Sequence, residues 1–407
     1  MTRKPFVVVG GGLAGLVAAI ALADKGHEVS LYERSSRFGG RAHTQLRKGF
    51  AMNFGPHALY LDGPADATFR RWGIDFSGTR LSLKDLSYLI IRGEKRPFID
   101  TIADAGIARL LTATDPRHAS GNFDEWLARN VQSQEICELL CCLIRLTTYC
   151  AQPEFISARA ALQQMQLAFS KGVLYLDGGW GTLVEGLIKK ARSLNVHMET
   201  NAYVEHVYPG LVHLVNGQTI SASGAILATG WEGVDRLTSR QLLSPVKFRM
   251  ALLDLGLRRL PDNAAHYGLG VDSPFYLSVH SVWASLAPQG AALVHVGKFL
   301  RSDGTATRNE LEEFTDLLIP GWRKEAEVTR FLPNMVANGG VITLAGRPDV
   351  SALKLDGIAI CGDWVGPEGM LADASVSSAL QAAAWLDKSE DVGCAVSQAA
   401  TLPDITG

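Results

Sequence analysis

The chain has 407 residues, room for two or three domains, and its 47% apolar side chains supply ample material for a buried core. Only 20% of the residues are charged, too few for a disordered chain, and 39 basic against 41 acidic residues leave a net charge of −2, which removes any electrostatic ground for nucleic acid as a partner. The six cysteines, at 137, 141, 142, 150, 361 and 394, form no CxxC pair and have no histidine cluster beside them, so no metal site is expected and the thiols read as buried and reduced, in a cytoplasmic protein.

In chain order, residues 6–9 form a short β-branched run ending in glycines. Residues 13–25 read as a helix with Leu16, Ala19, Ile20 and Ala23 on one face, stopped by Gly26. Residues 28–33 read as a second strand, which makes a right-handed parallel strand–helix–strand unit. The basic start followed by an apolar stretch also has the outline of a signal peptide, but glycines at 10, 11, 12 and 15 would break its helix. Elsewhere no run approaches the roughly 18 apolar residues of a membrane span, so no integral membrane segment is expected, while peripheral membrane contact stays open.

Residues 80–100 read as strands and turns, and 101–170 as helical, with helices over 123–129, 133–149 and 157–169. Ile136, Leu139, Leu140, Leu143 and Ile144 make the middle one a core helix. The run Gly178-Gly179-Trp180-Gly181 breaks this region, and a helix over 182–193 follows, capped by Thr182. Strands are expected over 196–207, 212–215 and 218–220, the last two joined by an Asn216-Gly217 hairpin turn, then a buried strand over 224–229. More strands fill 245–345, with a helix around 309–318; a buried strand over 357–361 precedes a loop and a helix over 371–385. From 389 no period remains, and a loosely held tail is expected over 389–407.

The chemistry starts at Gly10-x-Gly12-x-x-Gly15, placed between strand and helix. Gly10 permits the tight turn, Gly12 lets backbone approach a pyrophosphate, and Gly15 lets helix and strand pack closely. The amides of Leu13 and Ala14 then point at phosphates, aided by the helix dipole. Glu33 ends the second strand, where its carboxylate can accept both hydroxyls of a ribose. A second pair of glycines, Gly39-Gly40, follows Glu33-Arg34 and allows another backbone approach, and Arg41 adds a cation near a diphosphate.

Together, Glu33-Arg34-x-x-x-x-Gly39-Gly40-Arg41 resembles the FAD-binding signature of the amine oxidase, protoporphyrinogen oxidase and phytoene desaturase superfamily. Further segments fit that family in order. The resemblance implies that Gly55-Pro56-His57 turns beneath the flavin ring, that Val204 meets adenine, and that Thr229 belongs to the second flavoprotein strand motif. It also implies that Gly362-Asp363 and Met370-Leu371 form the C-terminal FAD motif, Asp363 toward the ribityl chain and Met370 in the place of an aromatic that amine oxidases hold beside the ring. His57 is the candidate for taking or shuttling a proton, with a plain hydrogen-bonding role as its alternative. Lys247, Trp180, Trp283 and Tyr276 are weighed as site residues against ordinary edge or core positions.

The implied fold is a Rossmann-like FAD-binding domain built from 1–75, 176–235 and 346–388, with an inserted α+β substrate domain over 76–175 and 236–345. The implied function is an oxidoreductase holding FAD noncovalently and removing hydride from a small or apolar organic substrate, closest to phytoene-desaturase-like dehydrogenases. A peroxide-producing amine or amino-acid oxidase and a non-catalytic FAD-binding protein are the alternatives.

Overall fold

Four consecutive buried residues make Phe6–Val9 a central strand covered on both faces, the pattern that a parallel sheet requires. It pairs in parallel with Val29–Tyr32 on one side and Gly224–Leu227 on the other, and His197–Glu199 and Ile358–Ile360 complete the five-stranded sheet at its edges. The computed structural model describes residues 4–81, 83–241 and 244–399. Side chains along the strands alternate between two layers. Val8, Leu31, Ile226 and Ala359 pack with the helices Leu13–Ala23, Gly181–Ser193 and Ala372–Ala399. Val7, Val9, Tyr32 and Leu227 instead pack with a three-stranded antiparallel sheet, Val204–Tyr208, Leu211–Leu214 and Thr219–Ser221.

The second layer system is a seven-stranded sheet. Ala326–Asn338, Phe248–Leu257, Ala292–Leu300, Phe275–Ser278, Tyr267–Gly270, Tyr88–Ile91 and Glu94–Pro97 follow one another across it, antiparallel except where Tyr267–Gly270 meets Tyr88–Ile91. The helices Gln134–Thr148 and Ala158–Lys171 share a core with it. Each starts where a serine hydroxyl caps it: Ser133 accepts the Ile136 amide and Ser157 accepts the Ala160 amide.

Three expected elements differ. The stretch 196–207 splits into His197–Glu199 and Val204–Tyr208, which lie in different sheets. Asn201 sits at φ 56°, and the Asn201 and Ala202 amides bond to the Ser35 and Glu33 carbonyls, so the chain turns over the end of the second strand. Thr182 does not cap its helix: its hydroxyl donates back to the Gly179 carbonyl, and the helix Gly181–Ser193 begins without a side-chain cap. The final helix runs on to Ala399, because 389–399 contain no proline and are rich in helix-tolerant residues. The rest of the expected tail, 400–407, lies outside the described residues.

Candidate functional site

The glycine motif does two different jobs. Gly10 has φ +105°, and a Cβ there would lie 2.7 Å from the Ala228 carbonyl oxygen; one on Gly15 would lie 1.8 Å from the Gly10 carbonyl oxygen. Those two glycines are fixed by backbone packing, and Gly15 does not reach the cavity described next. Gly12 differs: a Cβ on it would meet no protein atom within 4 Å. It faces a cavity of about 560 Å³ together with Gly10, Leu13 and Ala14. The helix Leu13–Ala23 has no side-chain cap at Gly12, so its first amides are left for an anion in that cavity.

The second glycine turn is tied onto the first. The Gly39 amide donates to the Gly11 carbonyl at 2.7 Å, with Gly39 at φ 110° and Gly40 at φ 52°. Both line the cavity, as do Arg34 and Arg41. Glu33 lines it too, and its carboxylate is already engaged. One oxygen accepts the Gly11 amide at 2.6 Å, and the other accepts the Ser35 amide at 2.8 Å and hydroxyl at 2.6 Å. A carboxylate has about four acceptor positions, so capacity for a ribose remains, now from a side chain locked in place.

The C-terminal motif arrives from the far end of the sequence. Asp363 follows the strand Ile358–Ile360, is 3% exposed, and accepts from Arg41 at 2.6 Å and from the Gly339 amide at 2.7 Å. Burial alone would raise its carboxyl. The charge and hydrogen bond of Arg41, the Gly339 amide and the Arg347 charge outweigh that and hold it below the ordinary carboxylate range. Arg347 escaped the sequence reading. Its buried guanidinium donates to the carbonyls of Gly366 (2.8 Å), Asp363 (2.9 Å) and Gly369 (2.9 Å), which clamps the loop between strand and helix. An arginine outside every motif carries no sequence signal for this task.

Of the other expected site residues, His57, Val204, Thr229, Gly362 and Leu371 line the cavity. Gly55 and Met370 do not, and Pro56 lines a second cavity instead. Met370 is 2% exposed within the core; Leu371, held at φ 57°, takes the cavity position beside it. His57 packs edge-on to Trp180 with ring centroids 5.2 Å apart. Burial, followed by the charges of Arg41 and His295, pushes the His57 imidazole down to about 3, so it is neutral near pH 7. Its buried Nδ1 has no hydrogen-bond partner among the described residues. Lys247 bonds to Glu232 and lies over the Trp231 ring, and Glu232 lines the Val204 end of the cavity. Trp180 lines the cavity, whereas Trp283 belongs to the core.

The second cavity, of about 540 Å³, adjoins the first: Ala58, Tyr60, Tyr149 and Leu371 line both. Its walls come from the helices (Leu146, Phe169) and from the seven-stranded sheet (Tyr267, Tyr276, Phe299). No group of three or more metal-ligating side chains occurs among the described residues. No helix among them is long and apolar enough to cross a membrane. The glycine cradle, the free helix amides, the acid at the strand end and the two cations together fit a dinucleotide.

Comparison with known proteins agrees. Residues 8–72 match the family model of the NAD(P)-binding Rossmann-like domain. The chain is 25% identical over 285 residues to a carotenoid 3,4-desaturase of Haloarcula japonica, covering 58% of each chain. It is 41% identical over 59 residues to a 4,4'-diaponeurosporene oxygenase of Staphylococcus haemolyticus, which is 14% of this chain and 12% of that one. The chain thus spans little more than half the length of the first relative and about an eighth of the second. Among solved structures, an oxidoreductase from Methanosarcina mazei superposes with a TM-score of 0.75 at 16% identity, covering 93% of this chain and 99% of that one. A cyclohexylamine oxidase from Brevibacterium oxydans gives 0.68 at 14% identity, with 96% and 100% covered. At these identities the superpositions show the fold.

Proposed function

We propose that this chain, which has the fold of the FAD-dependent amine oxidase, protoporphyrinogen oxidase and phytoene desaturase superfamily, is an FAD-dependent oxidoreductase that dehydrogenates an apolar organic substrate in the manner of the desaturases. One observation carries the reading: a dinucleotide cradle opens onto an apolar cavity through shared walls at Ala58, Tyr60, Tyr149 and Leu371. When bound, FAD supplies a two-electron acceptor for hydride.

The chain's own residues do the rest. Gly12, Leu13, Ala14, Gly39 and Gly40 cradle the diphosphate by backbone, Arg34 and Arg41 balance its charge, and Glu33 holds a ribose. Leu371 adjoins the start of the helix Ala372–Ala399, whose positive dipole end lowers the cost of negative charge at that end of the cavity. The aromatic and aliphatic walls of the second cavity exclude water from a substrate. In this reading the cofactor is held noncovalently. Cys137, Cys141, Cys142, Cys150 and Cys361 are free thiols, which supports a reducing, cytoplasmic setting.

The test is an anaerobic screen of the FAD-loaded protein against polyenes, porphyrinogens and amines, read at the visible flavin band. Bleaching by an apolar substrate and not by amines is expected. Bleaching by simple amines, with peroxide released on readmitting air, would make the chain an amine oxidase. No bleaching by any class would favour a non-catalytic FAD protein.

A further inference from the structure

Arg347 stands outside every sequence motif, and its surroundings satisfy its hydrogen bonds without balancing its charge. The residue is 8% exposed. Its Nε donates to the Gly366 carbonyl at 2.8 Å. One terminal nitrogen donates to the carbonyls of Asp363 (2.9 Å) and Gly340 (3.4 Å), and the other to those of Gly369 (2.9 Å) and Glu368 (3.1 Å). Each N–H of the guanidinium thus has an acceptor, but the acceptors are neutral. Among the described residues, Asp363 is the acid whose charge acts on Arg347, and its carboxylate is already joined to Arg41 at 2.6 Å. Two cations therefore share one anion. The remaining acids of the segment leave that balance unchanged: Asp349 and Glu368 are exposed, and Asp373 is a buried carboxyl, raised to about 7, whose neighbours are Ala65 and Asp66.

The carbonyls that Arg347 holds belong to the loop that walls the dinucleotide cavity. Gly362, Asp363 and Trp364 line that cavity where the loop begins, and Leu371 and Ala372 line it where the loop runs into the last helix. Leu371 also lines the second cavity, so hydride passing between the two cavities passes at this end. Burying a cation without its counter-ion is costly, and an anion that forms nearby lowers that cost. Hydride carries one proton and two electrons. A neutral ring that accepts it gains one negative charge, and the substrate carbon that gives it up is left with the matching positive charge.

We propose that Arg347 is a positioning residue whose charge, left uncompensated behind the loop from Asp363 to Gly369, stabilises the negative charge that the cofactor ring gains on accepting hydride. The proposal adds a residue to the FAD-dependent oxidoreductase reading and rests on it. Arg347 acts through space and through the loop it holds, without touching the cofactor. Burial pulls its guanidinium down to about 10, with the charge of Asp363 opposing, so it stays charged near pH 7. The free amides at the start of the last helix act in the same direction with a partial charge, whereas Arg347 brings a whole one. In surroundings of low polarity such a charge reaches across a loop with little screening.

The experiment uses the FAD-loaded protein and needs no substrate. Sulfite adds to flavin N5, leaves a negative charge on the ring and bleaches the visible band, so its Kd reads the same electrostatics as the reduction potential. Wild type is expected to bleach with sulfite. Arg347→Gln should weaken sulfite binding by on the order of tenfold and lower the two-electron midpoint potential by the equivalent, about 30 mV. Arg347→Lys keeps the charge and loses the fork of donors, and should stay close to wild type in both measurements. A Gln variant with wild-type sulfite affinity and potential, or a Lys variant shifted as far as Gln, would reduce Arg347 to a loop clamp and overturn the proposal. Should neither variant load FAD, the wild type still decides: a loaded chain that sulfite does not bleach would overturn the proposal and leave the FAD reading standing. A wild-type chain that takes up no FAD would instead overturn the reading beneath the proposal, and the proposal with it.

Discussion

Arg41 and Asp363 lie 322 residues apart and are joined at 2.6 Å. The pair locks the loop after Gly39-Gly40 to the end of the strand Ile358–Ile360, so both ends of the sequence close on one cavity. Asp363 was expected to face the cofactor directly. It lines the cavity, with one oxygen accepting from Arg41 and the other from the Gly339 amide, and as at Glu33 these bonds leave acceptor capacity on the carboxylate.

Arg41→Gln should therefore weaken both the fold and the site. It leaves the buried Asp363 carboxylate without its main counter-charge, which costs on the order of 2–4 kcal/mol, below a fully buried pair because the Arg41 side chain is half-exposed. Urea unfolding without FAD reads the stability loss, and FAD titration reads the affinity loss. An unfolding midpoint equal to wild type would show that Arg347 alone supports Asp363.

Glu33→Ala should lower FAD affinity by on the order of 2–4 kcal/mol, from lost charge-assisted bonds to ribose and from release of the Gly11 amide that the carboxylate holds. Titration followed by quenching of FAD fluorescence checks it. Unchanged affinity would mean that Glu33 serves the Gly11 turn and Ser35 only.

The site was legible where function demands backbone. Gly10, Gly12, Gly39, Gly40 and Glu33 sit at fixed spacings beside a strand and a helix, and such spacing survives in a sequence. Met370 shows the limit. The order of the motifs put both it and Leu371 at the cavity, whereas Met370 is buried in the core and Leu371, in a left-handed conformation that nothing in the sequence announces, lines the cavity. Arg347 and the break at Asn201 were invisible for the same reason: each depends on carbonyls from distant segments. The second cavity was readable only as apolar helices and strands, because the residues that line it come together through tertiary packing.

Asp373 makes stability pH-dependent. Burial raises its carboxyl to about 7, with Asp66 adding to the rise and the Ala65 amide opposing it. The unfolded chain gives up this proton near pH 4, whereas the folded chain keeps it to about 7. Between these values the folded state binds more protons, so stability falls as pH rises and the full cost is present above about 7. Asp373→Asn should raise stability by on the order of 1–3 kcal/mol near pH 8 and by much less near pH 4. Melting temperatures at the two pH values decide it; an equal change at both would contradict the assignment.

Asp254, His295 and Arg330 form a buried charged cluster in the seven-stranded sheet. His295 Nδ1 lies 2.5 Å from one Asp254 oxygen, and Arg330 Nε donates to the other at 2.6 Å. Arg330 also donates to the Asn53 carbonyl, which ties the sheet to the segment leading into Gly55. Asp254→Ala should strip Arg330 of its counter-charge and cost about 3–5 kcal/mol, measured by denaturant unfolding. A loss under about 1 kcal/mol would show that Arg330 finds water instead.

The most direct measurement is a titration of the purified chain with FAD, followed in the visible spectrum and ended by acid precipitation. The account predicts stoichiometric uptake, a resolved and shifted flavin band, and all of the flavin in the supernatant after acid. A chain that takes up no FAD, or that binds a nicotinamide dinucleotide in its place, would contradict it.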